Sequence, residues 1–141
     1  MLQRIQTIYL SVAAGLLGLL QVFSFGSLSE QNPYAEGIFA DKILTLMDDG
    51  LLAGLAYGGL GLIIGSIFLF SNYKLQKLTC KIGAFLSTAV SGWAAYLGFS
   101  VAGFAIGIGL FLPIVALVFL FLAYKGISAD ESLIKSSNRI R

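Results

Sequence analysis

The chain has 141 residues, 57% of them apolar and only 11% charged, with 17 glycines, one cysteine and no histidine. A soluble domain carries roughly a quarter charged residues, so a mean hydropathy of +0.89 places the chain in the integral membrane class. The lack of histidine removes the usual haem ligand, the commonest zinc ligand and the usual general base near neutral pH. A single cysteine removes an internal disulfide and cysteine-ligated clusters.

Three stretches lack Asp, Glu, Lys and Arg altogether: residues 5–29, 50–73 and 82–124. A bilayer core of about 30 Å is crossed by about 20 apolar residues, so the first two stretches are each one crossing. The third, 43 residues long, would be about twice too long as one helix and must turn back once. The expected fold is all-α: four transmembrane helices in a bundle, near residues 4–25, 50–71, 78–98 and 103–125, with an outward loop 26–49 and a tail 126–141, in one membrane domain.

The first helix follows a single arginine, Arg4, and ends near Ser24-Phe25-Gly26. A cleaved signal peptide is the alternative reading, with small residues near the cleavage point. The apolar stretch is longer than an ordinary signal core. The loop after it holds Ile38, Phe39, Ile43, Leu44, Leu46 and Met47, too apolar for a solvated linker and matching neither helical nor alternating periodicity. It is expected to lie on the membrane surface, pack on the helix ends or contact another subunit. Asp48 and Asp49 are expected to cap the second helix at its positive dipole end.

The second helix carries Gly54, Gly58, Gly61 and Gly65; the third carries Gly83, Ser87, Ser91 and Ala95; the fourth carries Gly103 and Gly107. Ala14 and Gly18 add a small pair on the first. Small residues at helical spacing let backbones approach, and packing drives association inside lipid. Most of these faces are expected to pack within the bundle, leaving room for one to meet another protein. The turn between the third and fourth helices is expected at residues 98–103, where two glycines flank a serine. Pro113 is expected to kink the fourth helix. Ser128-Ala129-Asp130-Glu131 reads as a capping box that opens a short amphipathic C-terminal helix at headgroup level, with Leu133, Ile134 and Ile140 on its apolar side.

Charge sorts by loop. The first loop carries Glu30, Glu36, Asp41, Asp48 and Asp49 against Lys42 alone. Arg4, Lys74, Lys77, Lys81, Lys125, Lys135, Arg139 and Arg141 share the other side. By the positive-inside rule that side is cytoplasmic, with both termini. These eight are expected to hold anionic headgroups or, on the sharper reading, to dock an acidic partner.

Inside the spans, apart from Arg4, Lys81 and Lys125 at their ends, only Tyr and Cys can ionise. The polar candidates Gln21, Ser66, Ser87, Thr88 and Ser91 are expected to satisfy backbone carbonyls or neighbouring helices. Transporters and proton relays normally keep ionisable groups at depth, and no base is present to activate a serine. Cys80, between Thr79 and Lys81, reads as an inert small residue. Tyr124 beside Lys125 fits an interfacial anchor. No catalytic, cofactor-binding or metal-binding residue is expected.

The opening Met1-Leu2-Gln3-Arg4-Ile5-Gln6-Thr7-Ile8-Tyr9-Leu10, residues 67–76 (IFLFSNYKLQ) and the closing residues 129–141 (ADESLIKSSNRIR) resemble a small inner-membrane family of Bacteroidota, domain-of-unknown-function family 4293. The resemblance spans the chain and implies four helices and an inner-membrane address; it supplies no activity. The expected function is a non-catalytic accessory or scaffold subunit of a larger inner-membrane complex, of respiratory or protein-export type. The alternative is a small channel, transporter or lipid-handling protein. The expected partners are membrane lipids and other integral membrane subunits, with no nucleic acid.

Overall fold

Apolar side chains recur at helical spacing through most of the chain, and in the computed structural model they line one side of each of four helices. The structure describes residues 3–29 and 37–138, apart from the side chains of residues 3, 4, 135, 137 and 138. Glu30, Glu36, Arg139, Ile140 and Arg141, with the side chains of Arg4 and Lys135, lie outside the described residues. Helix α1 spans Gln3–Gly18 and is prolonged by a 3-10 turn, Leu19–Gln21; α2 spans Gly50–Phe68, α3 Tyr73–Phe99 and α4 Leu112–Asn138. Three segments, Gly50–Phe68, Tyr73–Phe99 and Ile108–Ile134, are long and apolar enough to cross a membrane. The apolar helix Ile5–Gln21 is shorter.

Each helix packs on its chain neighbours, and α4 returns against α1 to close a ring. The buried stripes are Leu10, Ala13 and Leu17 on α1, Leu52, Ala56 and Ile63 on α2, Cys80, Val90 and Ala94 on α3, and Ala116, Leu120, Ala123 and Ile127 on α4. Where two stripes meet, a glycine brings the backbones together. A Cβ on Gly83 would meet Ile63 Cγ1 at 3.0 Å, and one on Gly59 would touch Leu86 and Leu17.

The helix ends differ from the expected ones, and in each case the reason is local hydrogen bonding. Helix α1 does not reach residue 25, because the backbone at Phe25 is taken from both sides: its N–H donates to Leu44 O at 2.8 Å and its carbonyl accepts from Gly107 N at 2.8 Å. Helix α2 starts as expected, with Asp49 as N-cap accepting from Leu52 N at 2.8 Å. Helix α3 starts at Tyr73, not at 78, because Asn72 caps it by accepting from Leu75 N at 3.2 Å. Lys74 and Lys77 therefore ride on a helix rather than a loop.

The largest departure lies between α3 and α4. The chain does turn after Gly98, with Gly103 at φ +82°, a conformation glycine adopts without strain. Helix α4 does not resume at 103, however. Residues Phe104–Ile106 form a strand, β3, and Ile108–Leu110 a 3-10 turn. Strand β3 joins β1 (Gly26–Leu28) and β2 (Ile43–Leu44) in an antiparallel sheet of order β2-β1-β3, with Gly26 facing Leu44 on one side and Ile106 on the other. The loop expected to be irregular thus pairs with the second turn, and its strands of two or three residues are too short to show a period. Gly107, expected on a helix face, runs extended against Ser24 and Phe25.

Pro113 consequently sits in the first turn of α4, where no intrahelical N–H bond is lost. The expected kink is replaced by a helix start. At the other end α4 runs unbroken to Asn138, so the separate C-terminal helix does not form. Around Ser128 the helical ladder already occupies the backbone donors, and the two acids that would serve the cap turn to other helices.

The sheet is locked to the helices by one ring. Phe104 lies in a slot floored by Gly26 and Gly98, and a Cβ at either glycine would overlap it. Phe39 and Phe99 meet the same ring edge-on, at centroid distances of 6.1 and 6.4 Å. Gly98→Val should therefore destabilise the protein by about 1–3 kcal/mol through overpacking. Denaturant unfolding in detergent should show the effect shrinking when Phe104→Ala is added. Equal loss with and without Phe104 would refute the slot.

Candidate functional site

The α2 glycines come first, because they carry the clearest asymmetry. At about 100° per residue, Gly54, Gly58, Gly61 and Gly65 fall on one side of the helix, opposite the buried Leu52, Ala56, Gly59, Ile63 and Ser66. All four are exposed, and a Cβ on any of them would meet nothing within 4 Å. Most small faces are expected to pack within the bundle, with room for one to meet another protein; on α2, Gly59 packs inward and the four-glycine face points outward.

Helix α3 is arranged the other way. Gly83 and Ser87 are buried, while Ser91 and Ala95 are half-buried, so its small face is turned into the ring. Ser87 Oγ donates to Gly83 O at 2.9 Å, Thr88 Oγ1 to Ala84 O at 3.0 Å and Ser91 Oγ to Leu110 O at 3.3 Å. These hydroxyls answer carbonyls, as expected of polar residues within helices. Ser66 and Ser91 do not come together. Ser66 meets Cys80, and Ser91 lies eleven residues further along α3, about 16 Å away. Gln21 is exposed at the sheet end.

At the opposite end, where α1 begins and α2 passes into α3, each helix contributes one buried polar residue: Gln6 from α1, Ser66 from α2, Gln76 from α3 and Asp130 from α4. Gln6 Nε2 donates to Asp130 Oδ2, joining α1 to α4. Gln76 Nε2 donates to Ser66 O at 3.2 Å, and Ser66 Oγ lies 3.8 Å from Cys80 Sγ, joining α2 to α3. Lys77 and Glu131 form an ion pair that joins α3 to α4. Gly126 makes room for this layer, since a Cβ there would meet Gln6 Cγ at 3.0 Å.

Sequence reading missed this layer although a signal was present. Gln6 continues the α1 stripe of Leu10, Ala13 and Leu17, and Asp130 continues Ala116, Leu120, Ala123 and Ile127, at the same three- and four-residue steps. At the sheet end Asp49 caps α2 and also accepts from Trp93 Nε1 at 3.1 Å. Asp48 accepts from Thr45 N at 2.6 Å and Thr45 Oγ1 at 2.8 Å. Both aspartates thus stabilise the α2 entry, one as its cap and one through the turn before it.

Chemically these groups hold helices in register. Cys80 is 2% exposed and behaves as a packing residue. Of the basic residues, Lys77 is taken by Glu131, whereas Lys81 and Lys125 lie over the rings of Tyr124 and Phe121, at 5.5 and 4.9 Å from the centroids. Lys74 is exposed at the start of α3.

Helices of membrane-crossing length and apolarity, ringed together, tied at one end by a polar layer and closed at the other by a small sheet, define a class: α-helical proteins of membrane type. Within that class the family model described as "Domain of unknown function (DUF4293)" matches residues 2–140, and the chain belongs to this family. No curated protein and no solved structure matches it.

The polar layer makes a quantitative demand. Asp130→Leu leaves the Gln6 amide buried without its acceptor and should cost about 1.5–3 kcal/mol. The double change Gln6→Leu with Asp130→Leu should recover part of that loss, because two apolar groups replace a hydrogen-bonded pair. Strictly additive losses in detergent unfolding would exclude the pairing.

Proposed function

We propose that this protein is a non-catalytic accessory or scaffold subunit of a larger inner-membrane complex, of respiratory or protein-export type, with both termini cytoplasmic. The observation that carries the reading is the outward face of α2. Four glycines in steps of three and four residues expose bare backbone, and the chain's own helices do not use that face. Inside lipid, where apolar surface alone gives no driving force, such a strip lets a foreign helix approach to van der Waals contact. The inward faces of α3 and α4 hold the protein together, leaving α2 free for a neighbour.

The orientation rests on charge. Lys74, Lys77, Lys81 and Lys125 lie at the end that carries the polar layer; Arg4 precedes Gln6 of that layer in sequence and Lys135, Arg139 and Arg141 follow Asp130, whereas Asp41, Asp48 and Asp49 lie at the sheet end. The basic end faces the cytoplasm by the positive-inside rule. A thiol at the exposed position Ser132, introduced as Ser132→Cys, should resist membrane-impermeant maleimide in intact cells and react after permeabilisation. Labelling before permeabilisation would reverse the orientation.

The function is tested by native purification in lipid nanodiscs with every co-purifying chain identified. Gly58→Leu and Gly61→Leu should abolish co-purification of the partner subunit while changing unfolding stability by less than about 0.5 kcal/mol, as for surface substitutions. Gly83→Leu, by contrast, should damage the fold, because its Cβ already meets Ile63. A wild-type chain that purifies alone, or a partner indifferent to the α2 leucines, would overturn the reading.

A further inference from the structure

Between α3 and α4, on the half of the ring nearer the chain's ends, lies an apolar groove of about 390 Å³. Cys80, Ala84, Leu117, Leu120, Phe121, Tyr124 and Lys81 line it; Cys80 and Leu120 are buried, whereas Phe121 and Lys81 are exposed. It follows α4 from Leu117 to Tyr124, about 10 Å along the helix, and so runs roughly parallel to the membrane normal.

The charges beside the groove are placed with respect to the lipid boundary. Residues 82–124 carry no charged side chain, and Lys81 and Lys125 are the residues immediately before and after them. On two adjacent antiparallel helices these lysines therefore mark the same level, where hydrocarbon gives way to headgroups. Lys77, one turn below Lys81, is neutralised by Glu131. Lys81 and Lys125 instead rest on the Tyr124 and Phe121 rings that line the groove, and among the described residues no carboxylate pairs with either. Contact with an aromatic face holds an ammonium in place without cancelling its charge.

We propose that this groove binds one anionic phospholipid, its acyl chain lying on Ala84, Leu117 and Leu120 and its phosphate between the Lys81 and Lys125 ammonium groups. Lys81 in the groove lining, Lys125 over the Phe121 ring that also lines it, and the apolar wall between α3 and α4 match the two parts of such a lipid. Basic pockets between transmembrane helices at the cytoplasmic level bind anionic headgroups in this way. A zwitterionic lipid fits the wall equally well, but its own cation meets the lysines. The site is independent of the α2 face, which lies on another helix.

The test is native mass spectrometry of the full chain released from detergent, titrated with phosphatidylglycerol or phosphatidylcholine of identical acyl chains. Wild type should retain phosphatidylglycerol about thirtyfold more strongly, from two lysines near the surface. Lys81→Gln with Lys125→Gln should bring it down to the phosphatidylcholine level, whereas Lys81→Arg with Lys125→Arg should keep the preference. Ala84→Phe, which fills the groove, should weaken both lipids; circular dichroism checks that each variant is folded. Equal retention of the two lipids by wild type, or an undiminished preference in the folded glutamine variant, would overturn the proposal.

Discussion

A backbone group that leaves a helix and is shut off from solvent needs a hydrogen-bond partner from the chain itself. The rest of this structure follows from how that demand is met after α1 and after α3. Neither exit can satisfy itself. The segment at Phe25–Leu28 is bonded on one side to Leu44 and Lys42 and on the other to residues 104–107, so two loops far apart in sequence become one small sheet. That pairing fixes where α1 ends, draws Asp49 to the α2 entry, and postpones the start of α4 to Leu112. Glycines at 26, 98, 107 and 109 are the means, because larger residues would collide with the neighbouring strand or with Phe104.

The two ends of the ring use different chemistry for the same purpose. At the sheet end, backbone pairing and one aromatic ring in a glycine slot hold the helices together. At the other end, side chains do it, with one buried polar residue from each helix and an ion pair beside them. Hydrophobic stripes between the two ends set the packing faces without specifying the vertical register, since a stripe of Leu and Ala slides against another at little cost. The polar layer removes that freedom: a one-turn slip of α1 against α4 would leave both Gln6 and Asp130 buried without partners.

Much of this was legible in the sequence, and what was hidden had physical causes. The existence of four apolar helical segments, the turn after Gly98 and the Asp49 cap follow from charge-free runs and cap chemistry. Pro113 reads as a kink in the sequence, because an uninterrupted apolar run gives no sign that residues 104–111, beyond the expected turn, are not α-helical. The capping box at Ser128–Glu131 has the correct local spelling for a helix start. It is overridden because Asp130 and Glu131 find Gln6 and Lys77 on other helices, a tertiary preference invisible to local rules. The α2 glycines were recognised as a packing face, but periodicity alone does not say whether a face turns in or out. Gly59, an unremarked neighbour, turned out to be the one that faces in.

The Gln6–Asp130 bond spans 124 positions of the chain, with a consequence for how the molecule comes into being. A chain made from its N-terminus places α1 in the membrane long before residue 130 exists. Throughout that interval the Gln6 amide lacks its native acceptor, and the β1 strand likewise waits for β3. The first helix is therefore secured only once β3 and α4 have been made. An interrupted chain lacking α4 leaves α1 with an unpartnered Gln6 amide on the headgroup side of the boundary that Lys81 and Lys125 mark, which distinguishes an incomplete molecule from a finished one.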